Sequence, residues 1–257
     1  MTLPLVISIP HGSSAVPPGI RAEFALTQEQ ILESVDRGTS EIFGSLPVLA
    51  SIKADWARFV VDLNRAPDQL GSKGVIARID YHGRPIFRPG REPSSTEVRK
   101  RLQQYYWPYH QNLKKALDHP RAKLLIDCHS LDGVGPKDAP DHGNTRADIV
   151  LGNNGGKGGE PVPARGSLTC GKGLLELMVR SLEKVGLSVA INQPYPGGYI
   201  TRHYGQQLAA RGKAAVQVEI NKGLCTRPGR PGLDKVKLAS FKAQILEALT
   251  EISHGLD

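Results

Sequence analysis

Short apolar runs along the chain alternate with longer segments whose apolar positions recur at helical spacing. Residues 5–9, Leu-Val-Ile-Ser-Ile, form a β-branched run stopped by Pro10 and predict a buried strand. Thr27, with Gln30 three positions on, has the capping-box pattern and opens a predicted helix over 28–43. Runs at 48–52 and 57–61 predict the next strands. Ser94 starts a long helix carrying Tyr105, Tyr106, Trp107 and Tyr109, with Pro108 as its point of kinking. Strands are predicted at 123–127, 147–151, 188–191 and 214–220, and helices over 171–185 and 233–253. The alternation predicts an α/β sandwich with a mixed, mostly parallel sheet, as a single domain over 1–257.

Composition narrows the function classes. With 33 Lys+Arg against 25 Asp+Glu the chain carries a formal +8, and its 39% hydrophobic content excludes wholesale disorder. Gly 28 and Pro 19 exceed the usual combined share of about 12%, which suits a loop-rich enzyme scaffold. Aromatic residues at 5% are too few for a base-stacking platform. The basic excess is dispersed, and its densest stretches, 88–91 and 227–230, read as Pro/Gly turns; a nucleic-acid partner is not expected. Three cysteines, Cys128, Cys170 and Cys225, show no paired spacing, which fits a reducing compartment. No run approaches the roughly 18 apolar residues of a membrane span, and the N-terminus lacks the basic region of a signal peptide. The chain reads as soluble and cytoplasmic.

Polar residues gather at the carboxyl ends of the predicted strands, where open α/β sheets bind their ligands. His11 follows the first strand, Asp62, Asn64 and Arg65 the run 57–61, Asp127, His129 and Ser130 the run 123–127, and Glu219 and Asn221 the last. Period-2 alternation puts Val216, Val218 and Ile220 on one face and Gln217, Glu219 and Asn221 on the other. Two histidines and carboxylates from distant segments suggest zinc, with His11 and His129 as ligands. Asp36 is the third candidate, with Glu33 and Glu41 as alternatives on the same segment. His82, His110, His119 and His203 are expected as hydrogen-bonded core residues. If His129 faces the site, Cys128 faces the core, so a Cys128–His129 nucleophilic pair has poor geometry.

In this order the motifs resemble the N-formylglutamate amidohydrolase family, relatives of the zinc carboxypeptidases. The similar stretches are Ile9-Pro-His-Gly-Ser13, Val61-Asp-Leu-Asn-Arg65, Ile126-Asp-Cys-His-Ser130, Ala147-Asp-Ile-Val-Leu-Gly152, Asn192-Gln-Pro-Tyr-Pro-Gly-Gly-Tyr-Ile-Thr201 and Val216-Gln-Val-Glu-Ile-Asn221. The resemblance implies a three-layer α/β/α sandwich of the carboxypeptidase (phosphorylase/hydrolase-like) type and a zinc-dependent amidohydrolase. One Zn2+, or another divalent metal, would sit on His11, Asp36 and His129. Glu219 would be general base and then acid, while Asn64 and Arg65 would hold a substrate carboxylate. Arg202 is a candidate for a second carboxylate or a surface residue. The implied substrate is a small acidic N-acyl amino acid such as N-formyl-L-glutamate, consumed in amino-acid catabolism. No membrane partner is implied, and monomer and homodimer are both left open. The chain departs from the family pattern at Ser14, Ser40, Lys222 and Cys225. The alternatives are a deacylase for another N-acyl amino acid or cell-wall amide, and a basic binding protein using the 88–101 and 222–237 surfaces.

Overall fold

The computed structural model describes residues 2–227 and 232–256; the turn expected at 227–230 therefore lies largely outside the described residues. Among the described residues six strands form one sheet in the order β2-β1-β3-β6-β4-β5. They are β1 (Leu3–Ile9), β2 (Val48–Lys53), β3 (Leu124–Leu131), β4 (Ile149–Gly152), β5 (Val189–Ile191) and β6 (Ala214–Asn221). β2, β1, β3 and β6 run parallel; β4 pairs antiparallel with β6 and parallel with β5. The helices are α1 (Pro18–Arg21), α2 (Gln28–Glu33), α3 (Thr39–Phe43), α4 (Ser95–Arg101), α5 (Trp107–Leu117), α6 (Lys172–Lys184), α7 (Tyr199–Ala209) and α8 (Lys235–His254).

Strand alternation builds the two faces. Leu5, Ile7 and Ile9 of β1, Leu124, Ile126 and Cys128 of β3, and Val216, Val218 and Ile220 of β6 point to one side. There they pack on α3, α6 and α8 through Ile42, Phe43, Leu175, Met178, Leu182, Phe241, Ile245 and Ile252. Val6, Leu125 and Ala215 point to the other side, against Tyr106, Tyr109 and Leu113 and against Ile200, Tyr204 and Leu208 of α7. This is the expected α/β/α sandwich. On that second face the strands turn polar toward their carboxyl ends, with Ser8, Asp127, His129, Gln217 and Glu219 all buried.

Four local expectations are corrected. The helix expected over 28–43 is two short helices, because the chain turns between Ser34 and Gly38. Thr27 does close its capping box on Gln30, but Gly38 at φ +88° starts α3 in the left-handed region. The run 57–61 is no strand but a buried turn, in which Val60 N–H donates to the Ala57 carbonyl at 2.9 Å. A continuous apolar run reports burial, not extension, and the Arg58–Asp62 ion pair at 2.8 Å needs a coiled backbone. The long helix after Ser94 changes pitch ahead of Pro108. Pro108 has no N–H for the Gln104 carbonyl, and Leu102–Tyr106 forms a π segment in which Trp107 N–H reaches the Leu102 carbonyl. Of the four histidines expected in the core only His110 is buried; His82 and His119 are exposed and His203 is half-buried. Helix α7 was not foreseen.

Gly38 also has no room for a side chain, since a Cβ there would lie 2.5 Å from Cys225 Sγ. Gly38→Ala combines that overlap with an unfavourable φ and is expected to cost about 2 kcal/mol in urea unfolding. A change below about 0.5 kcal/mol, the scatter of neutral surface substitutions, would contradict this packing.

Candidate functional site

The turn between α2 and α3 carries Asp36 under the end of β1. Its backbone N–H donates to the His11 carbonyl at 3.0 Å, and its carbonyl accepts from Thr39 Oγ1 at 2.6 Å. Cys225, one of the departures from the family pattern, is buried behind this turn rather than facing the cavity. Its thiol donates toward the Arg37 carbonyl at 3.8 Å.

Asp36 Oδ2 lies 2.9 Å from His129 Nδ1 and 3.4 Å from His11 Nδ1. The three side chains are buried and can offer donor atoms within 4.8 Å of one another. Glu33 and Glu41 do not join them: Glu33 pairs with Arg84 at 2.6 Å, and Glu41 is exposed. Each imidazole turns its other nitrogen to a second carboxylate. His11 Nε2 is 2.8 Å from Asp62 Oδ1; His129 Nε2 is 3.3 Å from Asp127 Oδ2 and 3.0 Å from the Asn64 side-chain amide nitrogen. Asp62 is held in turn by Arg58 at 2.8 Å, and Asp127 accepts from Ser8 and Thr201 hydroxyls, each at 2.9 Å. Carboxylates behind the imidazoles fix ring orientation and leave Nδ1 facing Asp36, as groups hydrogen-bonded to the far nitrogen do for metal-ligating histidines.

The donor set fits a divalent cation. Among the described residues His11 Nδ1 is buried with no hydrogen-bond partner, a cost unless something meets it. Burial alone would raise Asp36, but the adjacent His11 and His129 imidazoles hold it well below the usual carboxylate range. Burial would likewise lower His129, yet Asp127 and Asp36 hold its pKa well above the ordinary value. A field that retains a proton on a buried imidazole also favours a positive ion of high charge. Nitrogen and oxygen donors of this kind suit zinc and other divalent first-row metals.

Glu219 stands beside His129, its register partner across β3 and β6. Burial pushes its carboxyl up to about 7; the Asp36 charge adds to the rise and His129 opposes it. A carboxyl poised there can take and return a proton at neutral pH. Cys128 is on the opposite face, and burial raises its thiol well above the ordinary value, so it offers no thiolate.

A cavity of about 490 Å3 opens at these strand ends, lined by His11, Asp36, Asn64, Arg65, His129, Arg202 and Glu219. The seven residues just named, to which the resemblance or the sequence gives a site role, therefore lie on one cavity, whereas Asp62, Asp127 and Asn221 do not line it. The loop bearing Asn64 and Arg65 is held from behind. Tyr106 of the π segment donates to the Arg65 carbonyl at 2.8 Å, and His110 Nε2 donates to the Leu63 carbonyl at 3.0 Å. Arg65 itself is anchored by the Asn64 and Lys73 carbonyls, at 3.2 and 3.3 Å, and pairs with no carboxylate among the described residues. Arg202 is exposed at the rim, with Nε on the Gly198 carbonyl at 3.2 Å. The supporting roles of Arg58, Asp62, Asp127 and Gln217 were not read from the sequence. Period-2 alternation places Gln217 on the face of Glu219, and by the same rule Asp127 lies on the face of His129, but a shared face alone does not reveal either role.

A buried His-Asp-His cluster and a carboxyl near neutrality, at the strand ends of an α/β sandwich, define a hydrolase-type site. The sequence model of the N-formylglutamate amidohydrolase family matches residues 3–226, and the chain belongs to that family. It is 28% identical to N-formylglutamate deformylase of Pseudomonas putida, over 97% of this chain and 91% of that protein. The Pseudomonas aeruginosa enzyme of the same name is also 28% identical, over 99% and 91%. The solved N-formylglutamate amidohydrolase of Ralstonia eutropha JMP134 shares the fold with a TM-score of 0.75 at 22% identity, covering 99% of this chain and 94% of that one.

His110 gives this region a pH dependence. Burial lowers its pKa to about 4, against about 6.5 in an unfolded chain. Between those values the unfolded state binds the extra proton, so stability falls as pH drops from about 6.5 to about 4 and no further below. The loss from this residue is up to about 3 kcal/mol. Urea unfolding of wild type and His110→Gln at pH 7 and pH 4.5 should show a smaller acid loss in the variant; equal losses would contradict it.

Proposed function

We propose that this chain hydrolyses the amide of N-formyl-L-glutamate or a closely similar N-acyl amino acid, releasing the free amino acid and formate or the matching carboxylate. The reading treats 1–257 as one catalytic unit. The observation that carries it is the convergence of His11 and His129 Nδ1 on Asp36, beside Glu219, in a chain whose relatives are N-formylglutamate deformylases.

His11, Asp36 and His129 would hold the metal, zinc by first choice. When bound, a divalent ion there supplies the positive charge that polarises a carbonyl oxygen and acidifies water. Glu219 accepts a proton as a water oxygen bonds to the formyl carbon. It then delivers that proton to the amine nitrogen as the C–N bond breaks, so the two roles of one carboxyl occur in sequence. Arg65, a planar fork already oriented by two carbonyls, receives the substrate α-carboxylate with Asn64 beside it. Arg202 at the rim meets the second carboxylate.

The test is a panel of N-formyl and N-acetyl amino acids assayed with and without chelator. Turnover of N-formylglutamate that chelation abolishes and a divalent metal restores is expected. Chelator-insensitive turnover, or none on any amide, would overturn the reading. Glu219→Gln should lose roughly 10²- to 10⁴-fold in kcat while keeping its bound metal. Arg65→Lys, which keeps the charge and loses the fork, should raise KM for carboxylate substrates about tenfold, and an unchanged kcat/KM would remove Arg65 from the site.

A further inference from the structure

Gln217 lies two residues before Glu219 on the same face of β6, is 3% exposed and lines the cavity. Its amide has a forced orientation. Gly198 N–H can only donate, and it donates to Gln217 Oε1 at 2.6 Å. Gln217 Nε2 therefore faces Glu219 and donates to its Oε1 at 3.1 Å. The amide thus spans two groups, the entry to α7 on one side and the Glu219 carboxyl on the other.

The entry to α7 is itself fixed. Ile200 N–H donates to Asn64 Oδ1 at 2.8 Å, and Thr201 Oγ1 donates to Asp127 Oδ2 at 2.9 Å. Gly198 sits so close to Asn64 that a Cβ there would overlap its side-chain amide. The point from which Gln217 hangs is therefore tied both to the Asn64 loop and to the carboxylate behind His129.

We propose that Gln217 is a positioning residue for proton transfer: it occupies Glu219 Oε1 and leaves Oε2 to take and return the proton. An unrestrained carboxyl presents either oxygen in several torsions; a donor fixed on one oxygen leaves the other in a single direction. The two oxygens, equivalent in the free side chain, become one anchored and one reactive. This inference rests on the reading of Glu219 as the general base, and it adds the group that selects which oxygen acts.

Gln217→Glu separates the two bonds. The new carboxyl still accepts from Gly198 N–H and, when ionised, offers Glu219 no donor, whereas Gln217→Met loses both. Wild type, Gln217→Glu, Gln217→Met and Glu219→Gln are compared on the panel substrate that wild type turns over fastest, with kcat, KM, bound zinc and thermal midpoint measured for each. Both Gln217 variants should lose about 10²-fold in kcat, the scale of a misplaced reacting group, with KM within about twofold and zinc retained. Wild-type kcat in Gln217→Glu would reduce the amide to a support for α7 and overturn the inference. If Gln217→Glu does not fold, Gln217→Met decides: a low kcat with KM and zinc kept supports the inference. Wild-type kcat, a raised KM at unchanged kcat, or loss of zinc in Gln217→Met overturns it. Turnover retained in Glu219→Gln removes the base reading itself. An inactive Glu219→Gln with fully active Gln217 variants removes only the positioning role.

Discussion

A carboxylate taken out of water must be met by positive charge or hydrogen-bond donors, and Asp36 is met by two imidazoles, each steadied by a further carboxylate. Much of the second sheet face answers to this requirement. Arg58 balances Asp62, and the hydroxyls of Ser8 and Thr201 satisfy Asp127. The apolar first halves of the same strands give the sheet its packing. Stability and chemistry are thus divided along each strand: Leu125 serves the core, and His129, four residues on, serves the site.

The fold was legible where a run was bounded and its context simple. β1 and β6, with α6 and α8, lie close to their predicted ranges because turn residues bracket clean apolar runs, whereas β3 runs four residues past its predicted end, through His129 to Leu131. The misreadings have physical causes. Residues 57–61 are apolar because they are buried, and burial does not fix an extended backbone. The segment 28–43 has helical composition, but the turn that presents Asp36 breaks it at Gly38. Helix α7 escaped because its N-cap is Gly198, with no side-chain cap, and its donors are satisfied by Asn64 and Gln217 from elsewhere in the chain. A cap supplied by tertiary contact leaves no local signature.

The candidate site was more legible than the fold around it. Residues able to coordinate, ionise or bind carboxylates are few, and strand ends collect them. What stayed hidden was the second rank, Asp62 behind His11, Asp127 behind His129 and Tyr106 behind Arg65, because those roles depend on distances between elements. Helix α7 belongs to the same rank. Its first turn receives side chains from the Asn64 loop, β3 and β6, and acts as a common strut for parts of the site that are far apart in sequence.

In the parallel pairing of β3 with β6, His129 stands opposite Glu219 and Cys128 opposite Val218. Successive residues face opposite ways, so a slip of one position would turn the carboxyl into the apolar layer and bring a valine to the imidazole. A one-residue slip therefore costs core packing and the His129–Glu219 pairing together. The hydrophobic effect that aligns the strands therefore also sets which side chains meet at the candidate site.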